Sequence, residues 1–191
     1  MTSCLYSDRP SVIRFGLLFV LFCASAASAL ASDQLLMRAA CGGNVVTAGE
    51  GTLPGYSDYV ALSSVHHDLT IQVNPPGPLR QLPVRVVKSV SASTVRLMER
   101  MAQGQACEEV IIVHLRPNSQ SGALEEYWEL FLEDASLIER KYWDLSGATP
   151  VQDAISFIPL IVTWTFTDAA GGQTQFGWNF QTNGPAGTNR D

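Results

Sequence analysis

The chain of 191 residues carries 12 Lys and Arg against 18 Asp and Glu, and 46% of it is hydrophobic. A net charge of −6 excludes the concentrated basic face that phosphate backbones require, so no nucleic-acid partner is expected. The same acidity disfavours docking on an anionic membrane surface.

The first feature along the chain is an apolar run from Phe15 to about Cys23, followed by the small residues Ala24 to Ala29. A spanning helix needs about 20 bulky apolar residues, and this run is shorter, with only alanine and serine in its second half. Arg9 and Arg14 precede it, and Ala29-Leu30-Ala31 has the small-x-small spacing of a signal-peptidase site. Phe22 stands where a lipidated Cys23 would need a small neighbour. Residues 1–31 therefore read as a cleaved signal peptide rather than a stable membrane anchor, and the mature protein is expected to be secreted or periplasmic. The 160 residues from Ser32 onward suit a single domain with a real core and carry a net charge of −7 once Asp8, Arg9 and Arg14 are gone. Cys4 and Cys23 leave with the leader. Cys41 and Cys107 remain, either as one intramolecular disulfide or as two buried thiols.

Within the domain, "LPVRVV" (Leu82 to Val87) and "EEVIIVHL" (Glu108 to Leu115) favour strands. "NPPGPLRQLP" (Asn74 to Pro83) is too rich in proline for a helix or central strand and reads as an extended surface loop. Ser91 to Gly104 is the one clear helix, with Ser93 as N-cap, Leu97 and Met101 four residues apart, and Gly104 as the stop. "GALEEYWELFLEDASLIERKYW" is ambiguous: Glu and Leu favour helix, yet Trp128, Leu130 and Leu132 also alternate with Tyr127, Glu129 and Glu133. Near the end, Val162, Trp164 and Phe166 alternate with threonines, and Phe176, Trp178 and Phe180 alternate with Gln175, Gly177 and Asn179. Period two on both sides of "DAAGG" predicts a β-hairpin with one aromatic and one polar face. Residues 182–191, rich in Gly, Pro and Asn, read as a disordered tail.

Chemistry is sparse. Adjacent His66 and His67 point to opposite faces of a strand, His114 lies in an apolar strand, and no CxxC or HxxxH spacing accompanies them, so neither a metal nor a cofactor is expected. Glu125, Glu126, Glu129, Glu133, Asp134 and Glu139 read as a solvated face, since nothing shows two carboxylates converging. GxSxG, HExxH and phosphate-binding glycine loops are missing. Trp128, Trp164 and Trp178 read as core before they read as a sugar platform. No catalytic residue is assigned.

Three segments, in order, resemble the haemolysin-coregulated protein (Hcp) family, the tube proteins of type VI secretion systems. In "KSVSASTVRLMERMAQGQACEEVIIVHL", Lys88, Ser93, Thr94, Leu97, Met101 and Gly104 fall at the family's spacing. "EYWELFLEDASL" is similar to one of its strands, and "VTWTFT…GGQTQFGWNF" to its closing hairpin. A looser likeness in Met37 to Val65 extends the match over roughly Leu35 to Phe180. Ser91, Val95 and Asn179 depart from the family's usual Asp, Pro and Asp, and the loop at Asn74 to Pro83 is Pro-rich where the family often has Gly.

The resemblance implies a mainly β fold over residues 32–181: a small antiparallel β-barrel of two packed sheets with one α-helix at its side, akin to phage tail-tube subunits. It turns the ambiguous Glu125 to Glu139 stretch into strands. It further implies a non-enzymatic protein whose partner is itself, in a homohexameric ring able to stack and to carry exported cargo or meet secretion-machine components. Thr163, Thr165, Gln173 and Gln175 are candidates for the lumen wall, or simply the solvent face of the hairpin. A signal peptide sits oddly on a tube subunit, since such subunits assemble in the cytoplasm. Either the start is misassigned to a position before Met37 or the fold has been redeployed outside; starting at Met37 would clip the first strand, which favours export. The alternative is an exported monomeric binding module for a glycan or protein. N-terminal sequencing of the exported protein should begin at Ser32, and a chain beginning at Met1 or Met37 would overturn the leader assignment.

Overall fold

The computed structural model describes residues 32–71, 77–143 and 151–187. The proposed leader, the first three residues of the Pro-rich loop, residues 144–150 and the last four residues lie outside the described residues.

A closed barrel is built from β1 (Gln34–Cys41), β3 (Val60–His66), β6 (Val84–Ser89), β7 (Cys107–Pro117), β8 (Leu124–Trp143) and β9 (Gln152–Ile158). All neighbours are antiparallel, in the order β8-β7-β1-β3-β6-β9, and β9 returns to pair with β8. Closure rests on β8, which is 20 residues long. Its first half pairs with β7 and β10 (Ile161–Thr167), and its second half, from Ser136 on, pairs with β9. The bend between the halves falls at Asp134, whose φ of 50° is one of two positive values among the described non-glycine residues. Asp tolerates this left-handed geometry better than most residues. The helical propensity of Glu and Leu in this stretch is thus overridden by pairing on both edges.

Outside the barrel, β10 and β11 (Gln173–Asn179) form the predicted hairpin, with Val162 opposite Trp178 and Trp164 opposite Phe176. Asp168 shapes its turn by accepting hydrogen bonds from the N–H groups of Ala170 and Gly172. Two expectations are corrected. The Pro-rich segment is not wholly a loop: Leu79–Gln81 (β5) pairs with Leu69–Ile71 (β4), with Pro78 left just outside the ladder. The disordered tail does not begin at residue 182 either. Gly184–Pro185 (β12) pairs with Asn179 and Trp178, and Ala186 donates its N–H to the Gly177 carbonyl. Gly177 leaves room for this crossing, since a Cβ there would meet Ala186 at 3.2 Å. The short β2 (Asn44–Val45) folds back on β1 through Gly42 and Gly43, both at positive φ.

Met37, Ala39, Val110, Ile112, Leu130, Leu132, Val162, Val84, Val86, Ile155 and Phe157 fill the barrel. The helix α1 (Ala92–Ala102) lays Leu97 against this core. Its N-cap is Ser91 rather than the expected Ser93. Ser93 is buried in the first turn, and its N–H and hydroxyl both reach the carboxylate of Glu50. An anion from another segment thus fulfils the capping role at the positive end of the helix.

Beneath that helix end sits Lys88, fully buried. Its ammonium donates to the Ser89 carbonyl (2.9 Å), Ser91 Oγ (2.7 Å) and Thr94 Oγ1 (2.8 Å), which uses all three of its protons. Glu50 closes the set by accepting from Ser91 Oγ at 2.7 Å. Burial pulls the Lys88 pKa below its ordinary value, while Glu50 and Asp153 oppose that shift. Across the sheet Lys88 is the register partner of Asp153, which Arg140 holds at 2.7 Å. Replacing Lys88 with Met would leave Glu50 and two hydroxyls without their cation. Breaking such a buried set costs about 3 kcal/mol, so Lys88→Met should lower the urea midpoint accordingly with little change in the denaturant slope.

Candidate functional site

The sheet formed by β1, β7, β8, β10 and β11 has two faces of opposite character, set by the period of two along each strand. One face closes the barrel core. The other carries, by register, Leu36, Val113, Glu129, Thr165 and Gln175 in one row and Arg38, Ile111, Phe131, Thr163 and Gly177 in the next. Toward β1 this outer face is apolar and covered: Leu36, Val113 and Leu115 pack under Leu53, Tyr56 and Tyr59. Toward β11 it is polar and open.

On the open part, Glu126, Trp128, Glu129, Thr165, Thr167, Gln173 and Gln175 line a depression of about 300 Å³. Three of the four lumen candidates, Thr165, Gln173 and Gln175, therefore come together. Gln175 donates to Thr165 Oγ1 at 3.1 Å, which helps explain why Thr165 is only 8% exposed while both glutamines are open to solvent. Thr163 sits apart from them. It is buried against Gly177, beside the tail residue Ala186. Sequence reasoning placed Glu126 and Glu129 on a solvated face without joining them to the hairpin threonines; the join depends on β8 pairing with β10. Glu126 is anchored by the Tyr56 hydroxyl, which donates to it at 2.7 Å. Desolvation, followed by this carboxylate, pushes the Tyr56 pKa well above its usual value. Arg38 pairs with Glu109 farther along the same face.

The opposite face of the hairpin carries a file of rings. His67 stacks on Trp164 (5.7 Å), Trp164 on Phe176 (5.7 Å), and Phe176 leans on Trp178 (6.1 Å). Trp128 and Trp164 pack against the core, as expected of them, whereas Phe166 and Phe176 are 46% and 51% exposed. A separate cleft of about 440 Å³ between β1, the 46–59 loop and the helix start is lined by Glu50, Tyr56 and Tyr59 among others. Its carboxylate is committed to Ser91 and Ser93, which makes it an anchor for the helix. No group of three His, Cys, Asp or Glu among the described residues is placed to hold a metal ion. Among the described residues, no helix is long and apolar enough to cross a membrane.

Cys41 and Cys107 stand opposite one another at the ends of β1 and β7 and are joined as a disulfide across the strand pair.

This arrangement of a closed barrel, a side helix and an outlying hairpin matches a family of known proteins. Residues 34–166 match the family described as "Type VI secretion system effector, Hcp", and the chain belongs to that family. Solved structures agree on the fold. The secreted protein Hcp3 from Pseudomonas aeruginosa is 22% identical, with a TM-score of 0.61 over 74% of this chain and 96% of that one. Hcp1 from Salmonella typhimurium is 13% identical, with a TM-score of 0.66 over 82% and 100%. A structure described as a type six secretion system protein is 17% identical, with a TM-score of 0.68 over 81% and 100%. No curated protein sequence matches the chain.

His67 supplies a test of the ring file. Burial holds its pKa below the ordinary histidine value, with Asp68 opposing, and burial does the same to His114, with Asp33 opposing. A histidine kept neutral in the fold binds fewer protons than the unfolded chain below about pH 6.5. Stability should therefore be full above that pH and decline as pH falls toward the depressed folded values. Urea titrations between pH 7.5 and 5 should show the decline, and His67→Phe should make it shallower while keeping the stack.

Proposed function

We propose that the protein is an exported, non-enzymatic subunit that assembles with itself into a six-membered ring of the tube type, able to stack and to hold cargo against a polar inner wall. The observation that carries this reading is the two-faced hairpin at an open sheet edge. β12 covers β11 only at Trp178 and Asn179, so among the described residues Gln173 to Phe176 have a strand neighbour on the β10 side alone. An unpaired edge is a template for another chain, and a head-to-tail contact that closes on itself makes a ring. In such a ring the face bearing Glu126, Glu129, Thr165, Gln173 and Gln175 is the candidate inner wall. Its hydroxyls, amides and carboxylates suit passage of a hydrated cargo. Export through the leader, and oxidation of Cys41 and Cys107 in the receiving compartment, belong to the same proposal.

The exposed Phe166 and Phe176 support a second reading, a monomeric exported module that uses its ring file to hold a glycan or a protein. Light scattering behind size-exclusion chromatography separates the two. Residues Ser32 to Asp191 should elute with the mass of six protomers at high concentration, and Phe176→Asp should shift the population toward folded monomer. A monomer at every concentration sinks the ring and promotes the binding module.

A further inference from the structure

Cys41 and Cys107 are both fully buried, and the chain connections around them form a lid. Gly42 lies under the Gln105 side chain, so closely that a Cβ there would meet Gln105 Oε1 at 2.6 Å. Arg100, in the last turn of α1, holds that same Oε1 at 2.8 Å. The Gly43 N–H donates to Glu108 Oε1 at 3.3 Å. On the far side, Cys107 is the register partner of buried Ala135 in β8. Three connections, β1 to β2, α1 to β7, and the β8 bend, therefore converge on this pair.

Thiol–disulfide exchange needs a thiolate to approach a sulfur in line and passes through a mixed disulfide with the second molecule. The closed fold offers no such approach, because both cysteines are fully buried within the hydrophobic core cluster. We infer that Cys41 and Cys107 are oxidised by exchange with a disulfide donor of the receiving compartment before the barrel closes, and that closure then seals the bond from reductants. In the first step one cysteine thiolate attacks the donor's disulfide; a mixed S–S bond forms and one donor thiolate leaves. The second cysteine thiolate then attacks the mixed disulfide, forming Cys41–Cys107 and releasing the other donor thiolate. Two electrons pass to the donor, which ends as a dithiol after taking up two protons. After Ser32 the chain has no other cysteine, so no wrong pairing exists and no isomerase is required. This inference rests on the export reading, because a reducing cytosol supplies no such donor.

The order of events is open to test in vitro. Ser32 to Asp191 is reduced, and oxidised glutathione is added either in urea above the unfolding midpoint or under native conditions, with quenching by a thiol-reactive polymer that reads out free cysteines. Bond formation should be at least ~100-fold slower in the native sample, at the pace of spontaneous opening. A chain that stays unfolded until oxidised supports the same order of events. Comparable rates with the reduced chain demonstrably folded would overturn it. Reduction should also lower the folded-to-unfolded ratio about a thousandfold, the value expected for a 66-residue separation. The full chain expressed with its leader separates the two readings. A product beginning at Ser32 with free thiols overturns the inference and leaves export standing. A product that retains its leader with free thiols counts against export, and the rate comparison still decides the order of closure and oxidation.

Discussion

A single buried cation holds the helix to the barrel. Lys88 lies on β6, a strand otherwise committed to the core through Val84 and Val86, and its ammonium has no water to turn to. Its three protons are placed on the Ser89 carbonyl and on two hydroxyls of the first helical turn. The Ser91 hydroxyl, together with the N–H and hydroxyl of Ser93, donates to Glu50, from a loop 38 positions before Lys88, while Thr94 Oγ1 also accepts the Ser91 N–H. The helix start, the 46–59 loop and the β6–β9 ladder are thereby fixed to one another by charge. The 46–59 loop in turn carries Leu53, Tyr56 and Tyr59 over the apolar half of the outer sheet face, and its Tyr56 reaches Glu126 at the border of the polar half. One border of the candidate wall, at Glu126, is thus tied through Tyr56 to the loop that neutralises Lys88. Burial of a charge is tolerable only when every proton and lone pair is answered, and here the answer enlists three separate segments.

Much of the fold was legible, and the rest failed for identifiable reasons. The β10–β11 hairpin announced itself because one face is core and the other wet, which produces strict alternation. β9 gave no such signal: Asp153 to Phe157 are buried without interruption, since both faces of that strand are covered. β8 was divided between its helical composition and its alternation, and only the family likeness tipped it to strand. The cap of α1 was misplaced by two residues because the group that caps it, Glu50, is distant in sequence and chosen by tertiary packing. β5 and β12 hide among prolines and glycines, where pairing is short and borrows order from its neighbours. The candidate wall was half visible. Alternation alone aligned Thr163, Thr165, Gln173 and Gln175, but burial of Thr163 beside a crossing tail, and the arrival of Glu126 and Glu129, follow from chain contacts that no local pattern encodes.

The two faces of the outer sheet pose different thermodynamic problems. The ring file of His67, Trp164, Phe176 and Trp178 gains from leaving water, and it includes Phe176, which stands exposed on the open-edge strand β11. The part of the opposite face that bears Glu126, Glu129, Gln173 and Gln175 is polar and suited to remain wet. A strand edge flanked on one side by apolar rings and on the other by amides and carboxylates gives any chain that pairs there a defined orientation, apolar side toward apolar side. Directionality of that kind separates an ordered assembly from indiscriminate edge-to-edge aggregation.

The length of β8 has a mechanical meaning. One uninterrupted segment runs from the outlying hairpin to the seam where the barrel shuts, so a pull on the hairpin is carried along the strand axis into β7 and β9. Ladders loaded in that direction resist in shear, with many hydrogen bonds sharing the tension, where a crosswise pull would peel them open one after another. The bend at Asp134 is the place where the direction of tension turns from one sheet into the other.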